Sequence, residues 1–143
     1  MKVKTSELSG KALNYAVACA EGMDFPSERL FPYPDERAWM LHSDGTIRNA
    51  VEVPSNAMSR HYDYTFWAPS TDWAQGGPII ERERIGVCHY NEEDGWEVPN
   101  WAAWRTDIDD RQQIMGESAL IAAMRCYVRI KLGDEVDVPE ELL

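Results

Sequence analysis

A chain of 143 residues is long enough for one domain with a real core, and its net charge of −11, from 25 acidic against 14 basic residues, argues against a protein that works by neutralising nucleic-acid phosphates. No apolar run reaches membrane length and the opening Met1-Lys2-Val3-Lys4 leads straight into a polar cap, so the expectation is a single domain over 1–143, in the cytoplasm, with no membrane partner. Cys19, Cys88 and Cys126 form no Cys-x-x-Cys pair and read as small apolar residues rather than as a disulfide framework.

Residues 5–21 have the spacing of an amphipathic helix, capped by Thr5 or Ser6, with Leu8, Ala12 or Leu13, Ala16 or Val17, and Ala20 on its apolar side and Gly22 as its stop. Residues 23–36 carry Pro26, Pro32 and Pro34 among aromatics, which predicts an irregular connection. A short strand over 38–41, a turn from His42 to Gly45 and a partner strand over 46–53 follow. Residues 54–66 read as a loop that delivers Tyr64, Phe66 and Trp67 to the next element.

The stretch 70–85 organises the rest. Ser70 is the predicted N-cap and Asp72 suits the first turn. Pro78 lacks an N–H and collides with the carbonyl of Ala74, so a short turn over 71–75, a kink, and a second helical piece over 78–84 are expected. Trp73 reads either as a packing anchor, the commoner role of a large aromatic, or as a stacking surface beside a helix start with free N–H groups.

Residues 86–90 form a strand, Asp94-Gly95 marks a turn, and strands over 96–98 and 101–106 follow. Trp101 and Trp104 lie three apart, so one is expected buried and the other relatively exposed, and Trp96 shares the face of Trp104 if Pro99 does not break the register. Residues 107–116 read as an acidic loop whose spacing matches no EF-hand, and no metal site is expected there. Residues 117–132 form the strongest helix, capped by Ser118 and ended by Gly133, with Ile121, Met124, Val128 and Leu132 on one face and most of its circumference apolar or small. Arg125 and Arg129 share one side of it. Residues 134–143 then run out over the surface.

The pattern Ser70-Thr71-Asp72-Trp73, Gly76-Gly77-Pro78-Ile79-Ile80-Glu81, Leu120-Ile121-Ala122-Ala123-Met124-Arg125 and Gly133-Asp134 with Val138-Pro139 resembles the NinX-like family of tailed phages. Glu7-Leu8-Ser9-Gly10 with Ala12-Leu13 and Ala16-Val17 agrees with it. The resemblance implies a phage accessory protein of no settled activity, working in the host cytoplasm. Together with the element pattern it implies an α+β fold: a short antiparallel sheet packed with helices, similar to the α/β/α sandwiches of small phage domains.

No nucleophile–base constellation is visible. Cys88 and His89 are adjacent in a strand and point to opposite faces, and no phosphate-binding, nucleophile-elbow or zinc-protease motif occurs. The expectation is a non-enzymatic protein without a cofactor. One reading is a small-ligand binder, with a nucleotide-like defence signal as the ligand, at a site joining Ser70, Thr71, Asp72, Trp73, Arg125, Trp67 and Arg129. For Arg125 a structural ion pair is the simpler alternative. The other reading is an acidic inhibitor of a host protein that acts through carboxylates such as Glu92, Asp107 and Asp109. Self-association as a homo-oligomer fits either.

Overall fold

The computed structural model describes residues 1–23, 39–42, 47–49, 64–106 and 112–143. The expected connection over 24–36, the turn over 43–45, the loop over 54–63 and the acidic run at 107–111 lie outside the described residues.

Three helices and three small antiparallel sheets make up the described parts, an α+β arrangement as expected. β1 (Lys2–Lys4) pairs with β8 (Glu135–Asp137), joining the two ends of the chain with Val3 opposite Val136. The segment expected to run out over the surface is therefore tied down. Val136 and Val138 are buried, which gives this last stretch a share of the core.

β2 (Trp39–His42) pairs with β3 (Ile47–Asn49), the hairpin expected from the turn residues between them. β2 also pairs with β4 (Tyr64–Phe66), so the end of the expected loop is a strand. The third sheet runs β5 (Ile85–His89), β6 (Trp101–Arg105), β7 (Ile114–Gly116). β7 replaces the end of the predicted polar loop, and the expected strand over 96–98 is absent.

The first helix, α1 (Gly10–Ala20), starts five residues later than its periodicity suggests, with Ser9 at the N-cap position. Thr5–Glu7 is a 3₁₀ turn, and Thr5 serves another element. Its hydroxyl donates to the Gly133 carbonyl at 2.6 Å and its N–H to the Asp134 carbonyl at 2.8 Å, closing the end of the last helix. Leu8 is buried at helical spacing without belonging to the helix.

α2 (Trp73–Arg82) runs through Pro78 without the expected break. The missing N–H leaves one carbonyl, that of Ala74, and both Ala74 and Pro78 face water, which satisfies it. Asp72, not Ser70, is the N-cap, its carboxylate accepting from the Ala74 N–H at 2.9 Å.

α3 (Ala119–Leu132) behaves as predicted: the Ser118 hydroxyl accepts from the Ile121 N–H at 3.1 Å, and Gly133 stops it at a positive φ of 97°. It packs on the β5–β6–β7 sheet and also receives α1 and α2, which is why residues all round it are buried. Leu132, at its exposed end, is the member of the predicted apolar face that stays outside.

The register of the third sheet explains its tryptophans. Trp101 lies on the core face opposite His89, with ring centroids 4.8 Å apart. Trp104 lies on the other face opposite Gly86, and a Cβ at position 86 would meet its indole at 2.7 Å. Both indoles are half-buried, so the expected split into a buried and a relatively exposed member does not occur: the bare backbone of Gly86 lets Trp104 settle onto the sheet. Trp96, outside any strand, does not share its face but stacks on Tyr90.

Candidate functional site

The sequence-predicted site residues fall into two groups. Trp67 and Ser70 are buried and converge on Asn14 of α1. The Trp67 indole Nε1 donates to the Asn14 carbonyl at 2.9 Å, and the Ser70 N–H and hydroxyl donate to Asn14 Oδ1 at 3.1 and 2.8 Å. These three hydrogen bonds pin the start of α2 onto α1. Thr71 is exposed and its N–H donates to the Ala68 carbonyl. Trp73 follows with 57% of its surface in water.

Arg125 and Arg129 sit elsewhere. α2 docks on α3 through Gly76, which lies against Leu120 and Met124. Residue 125 is ~100° further round the helix than 124, and it faces the N-terminal segment and β7 instead. Arg125 is 4% exposed. Its Nε donates to the Leu8 carbonyl at 2.7 Å, its Nη1 to the Met115 carbonyl at 2.8 Å, and its Nη2 lies 3.3 Å from a Glu117 carboxylate oxygen. Arg129 donates to the Gln112 carbonyl.

These two arginines do border a cleft of about 570 Å³. Lys4 joins them there, with Asp134 and Glu135 on the rim and Pro99, Ile114 and Met115 supplying apolar wall. The cleft's lining includes none of residues 70–73. A smaller cleft of about 300 Å³ shares Arg129 and Asp134 and adds Arg105. Lys4, Arg125, Arg129 and Arg105 thus line two clefts that share Arg129, and Asp134 and Glu135 line them as well.

A family model described as bacteriophage P22, NinX, matches residues 4–131. The chain belongs to the NinX family. None of the curated proteins matches it. The matched span of this NinX-family chain contains Lys4, Arg125 and Arg129, and both groups of residues named above. Among the described residues no cluster of three or more His, Cys, Asp or Glu side chains could hold a metal ion, and no helix is long and apolar enough to cross a membrane.

Two polar centres escaped the sequence reading. Asn14 is one; its signal was a polar residue at a buried turn of an otherwise apolar helix face. The other joins all three helices. Arg82 Nη2 donates to Glu21 at 2.9 Å and to the Tyr127 hydroxyl at 3.3 Å, Arg82 Nε donates to Glu83 at 3.2 Å, and Lys131 lies 3.5 Å from the same Glu83 oxygen. Nothing in the local sequence links these residues, because the contacts span three elements.

Burial, with the charge of Glu21 adding to it, pushes the Tyr127 phenol up to about 12, and burial with the neighbouring Cys19 does the same for Tyr15. A phenol whose folded value is raised holds its proton more tightly in the native state. Its stabilising effect is complete below the ordinary value of 10.0 and is lost as pH climbs to about 12. Absorbance titration is therefore expected to show a late-ionising phase to which Tyr15 and Tyr127 contribute, coincident with alkaline unfolding. Tyr127→Phe should reduce that phase; an unchanged late phase would contradict the assignment.

Proposed function

We propose that this phage protein is a non-enzymatic binding protein that holds a small anionic, nucleotide-like ligand in the Lys4–Arg125–Arg129 cleft and, in the host cytoplasm, keeps that ligand from host defence. The observation that carries the reading is that Lys4, Arg125 and Arg129 line one concave surface, beside Asp134 and Glu135, in a chain that is strongly acidic overall. An anion reaching this cleft gains attraction there and is repelled over most of the remaining surface, which favours one site over many. The apolar wall of Pro99, Ile114 and Met115 gives a base or similar flat group something to pack against. Arg125 forms the fixed floor, its donors directed to carbonyls and Glu117, while Arg129 and Lys4 are the half-buried and exposed cations placed to meet the ligand.

The reading moves the proposed site away from Trp73, Ser70, Thr71 and Asp72. Calorimetry with a panel of adenosine monophosphate, cyclic mononucleotides, cyclic dinucleotides and inorganic phosphate tests it. At least one nucleotide is expected to bind with an affinity that falls with added salt, and Arg129→Ala is expected to weaken it by about tenfold or more, roughly 1.4 kcal/mol. Trp73→Ala should leave it unchanged. Absence of binding across the panel would sink the reading.

A further inference from the structure

The connection from β5 to β6 has its own surface chemistry. From Ile85 to Trp104 the chain carries no Lys or Arg, yet it carries Glu92, Glu93, Asp94 and Glu97, all exposed. Among them Trp96 is 47% exposed and Val98 59% exposed. The loop is well braced. Trp96 stacks on Tyr90 with ring centroids 4.4 Å apart and planes 21° from parallel. The Tyr90 hydroxyl donates to the Gln113 side-chain oxygen at 2.9 Å, and buried Asn100 donates to the Tyr90 carbonyl at 3.1 Å while its own carbonyl accepts from the Tyr90 N–H at 2.8 Å. An indole held this way loses little freedom on being covered, which is what an interface anchor requires.

The same loop adjoins the cationic cleft. Pro99 at its base and Gln113, the partner of Tyr90, both line that cleft. An acidic, aromatic surface and a concave one that presents Lys4 and Arg129 beside Asp134 and Glu135 therefore share an edge. A twofold rotation about that edge lays each acidic loop over the partner's Lys4 and Arg129.

We infer that two copies of this chain pair through this face, each placing its 92–98 loop, with Trp96 as anchor, against the Lys4–Arg125–Arg129 cleft of the other. Each copy carries −11 overall, so salt relieves general repulsion while weakening the local attraction, and charge reversal is the cleaner probe. The pairing stands apart from the ligand reading; a monomer that binds a nucleotide would defeat the first and keep the second. Because both use the same cations, a ligand and the partner's loop compete for the cleft.

Sedimentation equilibrium on the full chain, from micromolar to hundreds of micromolar, tests the pairing. The wild type is expected to be a reversible dimer. Trp96→Ala, Glu93→Lys with Glu97→Lys, and Lys4→Glu with Arg129→Glu should each weaken association by about tenfold or more. Combining the two reversed sets should restore it, because the complementarity returns with opposite sign. Trp96, Glu93 and Glu97 are surface residues, and circular dichroism should show these variants folded like the wild type. A wild type that stays monomeric, a dimer indifferent to Trp96→Ala and to reversal of the loop, or a combined variant no better than its parts would each overturn the inference.

Discussion

Arg125→Met is expected to lower the unfolding free energy by about 3–5 kcal/mol, the middle of the range for leaving two carbonyls without a donor away from water. The side chain is 4% exposed and joins three parts of the chain that are distant in sequence: the Leu8 carbonyl ahead of α1, the Met115 carbonyl on β7, and the Glu117 carboxylate at the start of α3. Methionine fills much of the same space, so the loss is chiefly one of hydrogen bonding. Each carbonyl left without a donor away from water costs about 1–3 kcal/mol. Glu117 is half exposed, and water takes over its charge at little cost. Arg125→Lys should recover only part of the loss, since an ammonium is a point donor and cannot span two carbonyls the way the planar fork does. For a domain of this size the methionine variant should melt roughly 6–20 °C lower, at about 2–4 °C per kcal/mol. A melting temperature within a degree or two of wild type for Arg125→Met would show that these bonds are not what holds the three segments together.

That arginine also shows where reading the sequence succeeds and where it stops. α3 was legible because its signals are local: apolar spacing, a serine at the cap and a glycine at the stop all agree. The turn after β5 was legible for the same reason, with Gly95 at a positive φ of 89° following Asp94. Thr5 misled because its hydroxyl has two possible employers nearby in chemistry but not in sequence. It closes the end of α3, 128 positions away, rather than capping α1. The pairing of β1 with β8 and the extra strands β4 and β7 depend on partners whose approach no short pattern encodes. The candidate site was legible in part, for a similar reason. That Arg125 and Arg129 share a side follows from helical spacing, and the cleft keeps them together. That Trp73 should meet Arg125 required knowing which face of α3 receives α2, and periodicity does not say which neighbour an apolar face will choose.

The choice of that face rests on one small residue, and its replacement has the second large effect. Gly76→Ala is expected to destabilise the protein by about 2–3 kcal/mol, the usual penalty for overfilling a packed contact. A Cβ at position 76 would lie 2.5 Å from Leu120 Cδ2 and 2.5 Å from the Pro69 carbonyl oxygen. The leucine can turn aside. The carbonyl belongs to the turn held by Ser70, whose N–H and hydroxyl are fixed on Asn14, so it has little room to retreat. Relief must come from lifting α2 off α3, which would loosen the contacts of Ile79 as well. Gly77 is the internal control: a Cβ there meets nothing within 4 Å. Gly77→Ala should therefore leave the packing of α2 on α3 intact, with the better helix propensity of alanine offset by the crowding of its Cβ against the following Pro78 ring. Adjacent glycines in one helix are thus expected to respond unequally in urea unfolding, with the larger loss at Gly76. Equal losses at both positions would mean that the whole Gly76-Gly77-Pro78 segment, and not a single point of close approach, governs how α2 meets α3.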